Sequence, residues 1–203
     1  MRTWDATALP PDEALRRLLD GNARFVANKG TAFTGFRSEF VSGQSPSAVI
    51  VGCSDSRVPA EIVFDVGLGD LFVIRVAGNI VASSQVGSVE FAVSQFGTRL
   101  VVVMGHTRCG AIDATLRAID GAEREPGHIA SITERIMPAI RVAAAAETDP
   151  ARRSHAAMIA NVRASASQLA HGSTLIEELV RAGRVRIVGA VYAVESGVVS
   201  LVE

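Results

Sequence analysis

Five residues in two short clusters carry the chemistry legible in this sequence. Cys53, Asp55 and Arg57 fall within Cys53-Ser54-Asp55-Ser56-Arg57, and His106 and Cys109 within Gly105-His106-Thr107-Arg108-Cys109-Gly110. Two cysteines and one histidine form a known catalytic zinc set that leaves the fourth tetrahedral position for water or substrate. Asp55 is the side chain placed to reach that position. Arg57, two residues on, can hold the carboxylate off the metal by a bidentate charge-assisted pair. Two thiolates, a neutral imidazole and Zn2+ sum to no net charge, whereas a coordinated Asp55 would leave the cluster anionic and displace the water. The expected resting state is therefore open, with Asp55 a fourth ligand only in a closed state. Two other uses fit the same residues: a structural zinc with Asp55 as its permanent fourth ligand, and a thiol nucleophile at Cys109, whose thiolate a helix start would favour. A phosphate-cradling cysteine loop does not fit, because the position six residues after each cysteine holds Pro59 or Thr115 rather than arginine. Neither a glycine-rich phosphate loop nor a nucleophile elbow occurs.

These residues have to be delivered by the elements before them. Apolar runs at Ala48–Gly52, Leu71–Val76, Leu100–Met104 and Val185–Val191 are rich in Val and Ile and lack strict alternation, which predicts strands buried on both faces. Helical patterns lie at about Ser84–Phe96, Ala111–Ile119, Ile129–Ala146, His155–Ala170 and Leu175–Ala182. Strands alternating with helices predict an α/β fold with a mostly parallel sheet of about four strands and helices on both faces. Val198–Val202, after Glu195-Ser196-Gly197, is expected to add one antiparallel edge strand as a hairpin. A first helix from Pro10 to about Lys29 opens the chain, with Leu15, Leu18, Leu19, Phe25 and Val26 on its apolar face, and is expected to extend to a partner subunit. Both chemical clusters then stand at the carboxyl ends of strands, where open α/β sheets bind their ligands. His106 and Cys109 are expected to share one side of a turn or first helical turn.

Composition narrows the function classes. A chain of 203 residues suits one domain, 1–203, with a single core, and its hydrophobic content of 48% fits a globular protein. A formal net charge of −1 gives no electrostatic footprint for nucleic acid or an anionic membrane. Apolar stretches are broken by Arg, Asp or Gly before they could span a bilayer. The opening Met1-Arg2-Thr3-Trp4-Asp5 lacks a secretory pattern, so a cytoplasmic location is expected, and there two cysteines serve as ligands or nucleophiles more often than as a disulfide.

With these residues in place, the sequence resembles the β-class carbonic anhydrases. The stretch Cys53 to Pro59 looks like their first signature and Gly105 to Ala111 like their second. Gly67-Leu68-Gly69-Asp70-Leu71-Phe72-Val73, Arg75-Val76-Ala77-Gly78-Asn79 and Gly21-Asn22-Ala23-Arg24-Phe25 also match the family pattern in order and spacing. The resemblance implies a zinc lyase that hydrates carbon dioxide to bicarbonate and a proton by zinc-bound hydroxide, with Cys53, His106 and Cys109 as ligands and Asp55–Arg57 as catalytic dyad. It also implies a substrate pocket of Gln44, Phe72, Ala77, Phe91 and the Gly110 backbone. Homodimers or homotetramers are the implied assembly, with the active site at the dimer interface and Gln44, Phe72 and Phe91 coming from the partner chain. For Phe72, Ala77 and Phe91, ordinary core packing is the competing reading.

Some relatives hydrolyse carbonyl sulfide or carbon disulfide with the same ligands, and a non-catalytic zinc-stabilised binding module is the alternative of another class. Cobalt or ferrous iron could occupy the same donors. One subset of the family is switched off by bicarbonate bound to a Trp, an Arg and a Tyr; here Arg75 and Tyr192 stand at such positions but Ile50 replaces the Trp. Gln44 and Cys109-Gly110-Ala111 instead resemble the constitutively open subset, so no bicarbonate switch is expected. His128, His155 and His171 are expected at the surface, without a role.

Overall fold

The parallel sheet forms because its strands have apolar side chains for both faces. The structure, a computed structural model, describes residues 8–31, 41–121 and 125–202. The element order is α1 (Pro11–Val26), β1 (Ala48–Gly52), α2 (Ala60–Val63), β2 (Leu71–Arg75), a 3-10 turn (Ala77–Asn79), α3 (Ser83–Gln95), β3 (Leu100–His106) and α4 (Gly110–Ile119). A second 3-10 turn (Gly127–Ile129) leads to α5 (Ala130–Ala145), α6 (Pro150–His171), α7 (Thr174–Arg181), β4 (Arg186–Tyr192) and β5 (Val199–Val202). The sheet order is β2-β1-β3-β4-β5. The first four strands are parallel, and β5 returns antiparallel to β4. This is the expected α/β architecture.

Successive strand residues point to opposite faces, and each face has its own core. Val49, Val51, Val101 and Val103 pack with α3 to α7 through Val89, Ile112, Ile136, Val162 and Ile176. Ala48, Ile50, Leu100, Val102 and Met104 pack with α1 and α2 through Leu15, Leu18, Val63 and Phe64.

Helix α1 sits on its own chain's sheet, and the motif Gly21 to Arg24 explains how. A Cβ on Gly21 would lie 1.8 Å from the Phe64 carbonyl oxygen, so glycine sets the approach of α1 to α2. The buried Asn22 side chain donates to the carbonyls of Val63 (3.0 Å) and Gly197 (2.8 Å) and accepts from the Val199 amide (2.8 Å). Arg24 pairs with the nearly buried Asp65 at 2.5 Å. These matches to the family pattern are packing devices that join α1, α2 and the β4–β5 connection.

The short α2 is not among the expected elements, and α1 stops at Val26 rather than near Lys29. Two further differences concern α6 and β3. Helix α6 begins at Pro150, five residues before the expected His155, because Asp149 caps it by accepting from the Arg152 amide at 2.9 Å. Strand β3 runs past Met104 to His106, whose partner in β4 is Tyr192.

Candidate metal centre

Neighbouring strands β1 and β3 pair Gly52 with Met104, so the segments that follow them emerge side by side. Cys53 directly follows β1, His106 is the last residue of β3, and Cys109 is the N-cap of α4. His106 and Cys109 therefore flank a turn, one of the two expected arrangements, rather than sharing a first helical turn. Between them Arg108 takes a left-handed backbone conformation (φ 56°), which folds Cys109 back toward the end of the strand. The sulfurs of Cys53 and Cys109 and a ring nitrogen of His106 all lie within 4.8 Å of one another, and all three residues are buried.

The hydrogen bonds around this cluster fit a metal. The His106 Nδ1–H donates to the Thr107 carbonyl at 2.9 Å, and since a carbonyl can only accept, the tautomer leaves the lone pair on Nε2. That Nε2 is buried and has no hydrogen-bond partner, a costly arrangement for a polar atom unless something coordinates it. The Cys53 sulfur accepts from the Gly78 amide at 3.3 Å. The Cys53 thiol is pulled down to about 4, above all by the hydrogen bond from the Cys109 thiol, with burial opposing. That same bond, with burial, pushes Cys109 up. For His106 burial opposes the charged form, but the adjacent Cys53 thiolate makes the net shift upward.

Gly78 occupies the 3-10 turn after β2 with φ 69°, where a Cβ would meet Ile136 Cδ1 at 2.6 Å and Ala111 Cβ at 2.9 Å. Its carbonyl accepts from Asn161 on α6 at 2.9 Å. The turn is thus held to α6 while its amide faces the sulfur.

Asp55 stands beside the cluster, with Oδ2 3.9 Å from His106 Nε2. Arg57 holds it through Nε to Oδ1 (2.9 Å) and Nη2 to Oδ2 (2.7 Å), and the Arg57 amide adds a third bond to Oδ1 (2.9 Å). The Arg57 guanidinium keeps the carboxyl far below the usual carboxylate range, so Asp55 is ionised. Arg57 also donates to the Arg108 carbonyl at 3.1 Å and so bridges the two clusters. Arg75 donates to the carbonyls of Cys53 (3.0 Å) and Asp55 (2.6 Å), fixing the backbone that carries both.

Of the expected pocket residues, the fold brings Ala77 and Gly110 to this end of the sheet: Gly110 directly follows Cys109, and Ala77 directly precedes Gly78, whose amide donates to the Cys53 sulfur. Phe72 is paired with Val49, four strand residues short of Cys53 and thus about 13 Å away at 3.3 Å per residue. Gln44 precedes β1 and is exposed. Phe91, 52% exposed on α3, forms an aromatic trio with Phe72 and Phe96, with ring centroids 5.6 to 6.3 Å apart. The three residues expected from a partner chain are thus the three that lie away from this chain's own cluster. His128, His155 and His171 are exposed.

Sequence reasoning missed Gly78, the Arg108 carbonyl, Phe96 and Glu195. The last accepts from the Thr107 hydroxyl (2.7 Å) and Arg108 Nε (2.6 Å). The positive φ at Arg108 had no signal in the sequence, whereas Gly78 lay inside a quoted motif.

Comparison with known proteins places these observations among relatives. Residues 48–199 match the family model described as "Carbonic anhydrase". The chain is 41% identical over 197 residues to a carbonic anhydrase of Mycolicibacterium smegmatis, covering 94% of this chain and 93% of that protein. It is 37% identical over 193 residues to carbonic anhydrase 2 of Mycobacterium tuberculosis, covering 92% and 90%. Among solved structures, Coccomyxa β-carbonic anhydrase in complex with acetazolamide superposes with a TM-score of 0.70 at 25% identity, over 97% of this chain and 86% of that one. One of two tetrameric β-carbonic anhydrases from Sordaria macrospora gives 0.73 at 24% identity, over 80% and 83%.

Proposed function

Because this chain belongs to the carbonic anhydrase family, in its β class, we propose that it catalyses the reversible hydration of carbon dioxide to bicarbonate and a proton, with zinc held by Cys53, His106 and Cys109. The observation that carries this reading is the buried Cys53–His106–Cys109 cluster with a bare His106 Nε2, flanked by an Asp55 whose carboxylate is committed to Arg57. Zinc, when bound there, supplies the Lewis acidity that generates a hydroxide nucleophile near neutral pH.

The chain's own residues supply the rest. Asp55, ionised and held by Arg57, accepts a hydrogen bond from the nucleophile and aims its lone pair at the substrate carbon. The same two bonds keep its oxygens off the cluster, which supports an open site without a bicarbonate switch. Arg75 is already engaged with two carbonyls of the Cys53–Asp55 segment, in accord with a structural use. Ala77, with Phe72 and Phe91 of a partner chain, lines an apolar pocket suited to carbon dioxide, and the Gly110 amide and a partner's Gln44 hold the bicarbonate oxygens. The proposed protein is a homodimer or homotetramer of one domain, 1–203, working in the cytoplasm. Among the described residues, no helix is long and apolar enough to cross a membrane.

The test is stopped-flow carbon dioxide hydration on protein of known zinc content, at a pH of about 8.5. Zinc near one per chain with fast hydration, lost in Asp55→Ala, is the expected result. Full zinc without hydration refutes the activity.

A further inference from the structure

Between the ligands His106 and Cys109 lie Thr107 and Arg108, and their side chains meet one carboxylate from the far edge of the sheet. Glu195 lies in the connection between β4 and β5. Its Oε2 accepts from the Thr107 hydroxyl at 2.7 Å and its Oε1 from Arg108 Nε at 2.6 Å. The Thr107 hydroxyl in turn accepts from the Val194 amide at 3.0 Å, and the Thr107 amide donates to the Tyr192 carbonyl at 3.0 Å. Three hydrogen bonds thus tie a two-residue turn to the β4–β5 connection, and a fourth ties it to the last residue of β4.

What this turn presents to the reactive centre is its backbone. The Thr107 carbonyl receives the His106 Nδ1–H and fixes that ring's tautomer and orientation. The Arg108 carbonyl receives Arg57 Nη2, the nitrogen that also holds Asp55 Oδ2. Arg108 is in the left-handed region at φ 56°, which costs a non-glycine residue energy and persists only where the surroundings enforce it. Glu195 meets both side chains of this turn from the β4–β5 connection.

We propose that Glu195 is a positioning residue for the dyad and for His106: by holding Thr107 and Arg108 it sets the two carbonyls on which Arg57 and the His106 ring depend. It touches neither substrate nor metal ligand and acts through the turn. This rests on the carbonic anhydrase reading of the site, and it adds a member from the opposite end of the chain.

Glu195→Ala and the isosteric Glu195→Gln test it against wild type. Groups that hydrogen-bond a metal ligand typically change activity about 10- to 100-fold when lost, and Glu195, one step beyond the Thr107 carbonyl, belongs at the low end of that range. For Glu195→Ala we expect kcat for carbon dioxide hydration to fall roughly 10-fold with KM within about 2-fold, and the pH midpoint of kcat/KM to move. Glu195→Gln keeps an acceptor for Thr107 but presents an amide N–H toward Arg108, so its loss is intermediate. Cobalt-substituted protein gives a readout that does not need turnover: its visible spectrum, which follows the ligand field at His106, changes in both variants at unchanged metal content. In a Thr107→Val, Arg108→Ala background, Glu195→Ala adds nothing further. Unchanged kcat, pH midpoint and cobalt spectrum in folded Glu195→Ala overturn the proposal, as does a lowered melting temperature with all three unchanged. Wild-type protein that binds cobalt but does not hydrate carbon dioxide refutes the activity alone, and the cobalt spectra still decide the role of Glu195.

Discussion

Replacing Gly78 by alanine reaches the metal centre through packing alone. Three terms set its cost. The backbone at φ 69° is left-handed, worth roughly 1–2 kcal/mol against an L side chain. The new Cβ would sit 2.6 Å from Ile136 Cδ1 and 2.9 Å from Ala111 Cβ, in a core where overpacking costs typically about 1–3 kcal/mol. Against these, alanine restricts the unfolded chain and returns about 0.4–1 kcal/mol. The net expectation is a loss of about 2–4 kcal/mol, a fall in melting temperature of roughly 5–15 °C for a chain of this length. The Ile136 side chain can swing, but Ala111 belongs to the first turn of α4 and cannot, so relief comes by moving the turn. That movement withdraws the Gly78 amide from the Cys53 sulfur, now 3.3 Å away. Zinc affinity, read by competition with a chromogenic chelator, falls along with stability. Calorimetry or circular dichroism melts of both proteins, at equal concentration and metal loading, give the comparison. A melting temperature within about 2 °C of wild type would refute the reasoning, since neither the strain nor the clash would then be real.

Other perturbations separate the remaining claims. Asn22→Ala strands two carbonyls and one amide in a buried site, and urea titration should show a loss of about 2–5 kcal/mol. Removing zinc with dipicolinate should abolish hydration while far-ultraviolet circular dichroism stays native, because the ladders of β1 and β3 hold the ligands without it. Phe91→Asp, on an exposed aromatic well away from this chain's own cluster, should lower both the sedimentation mass and the activity if Phe91 serves a partner's pocket. Asp55 has a folded-state pKa below its unfolded value, so its contribution is complete above the unfolded value, near 4, and is lost as pH falls through the folded one. The difference in melting temperature between wild type and Asp55→Asn should therefore be constant from about pH 7 to pH 5 and shrink only below about pH 4.

Much of this was legible because the relevant signals are local or periodic. Val-rich runs without alternation read directly as doubly covered strands, and β1 is found at the residues expected, Ala48–Gly52. Cys53 and His106 could be set at strand ends because the apolar runs stop there. Helix α5 was readable despite Pro138, since its apolar spacing continues across that residue and the helix does too. What escaped depends on contacts distant in sequence or on backbone torsions. The start of α6 was set by Asp149-Pro150, a cap and first-turn pair overlooked in favour of the apolar pattern from His155. Glu195 served only as part of a turn signal, because nothing local ties it to Thr107, 88 positions away. The pocket residues Gln44, Phe72 and Phe91 carried a meaning that spacing alone cannot give, since within one chain they stand away from the cluster.

The buried Asn22 has a consequence for how the protein tolerates change at its first helix. Its amide and carbonyl grip Gly197 and Val199, the residues on either side of the entry to β5, and Glu195 lies two positions before Gly197. A helix that carries none of the cluster residues is thereby a buttress for the hairpin whose carboxylate meets the turn between His106 and Cys109. Trimming α1, or forcing it off its seat with a substitution at Gly21, would be felt in the catalytic geometry as well as in stability. Fusions and deletions designed around this helix would therefore cost turnover as well as stability, because Ala14, Leu15 and Leu18 also belong to the core.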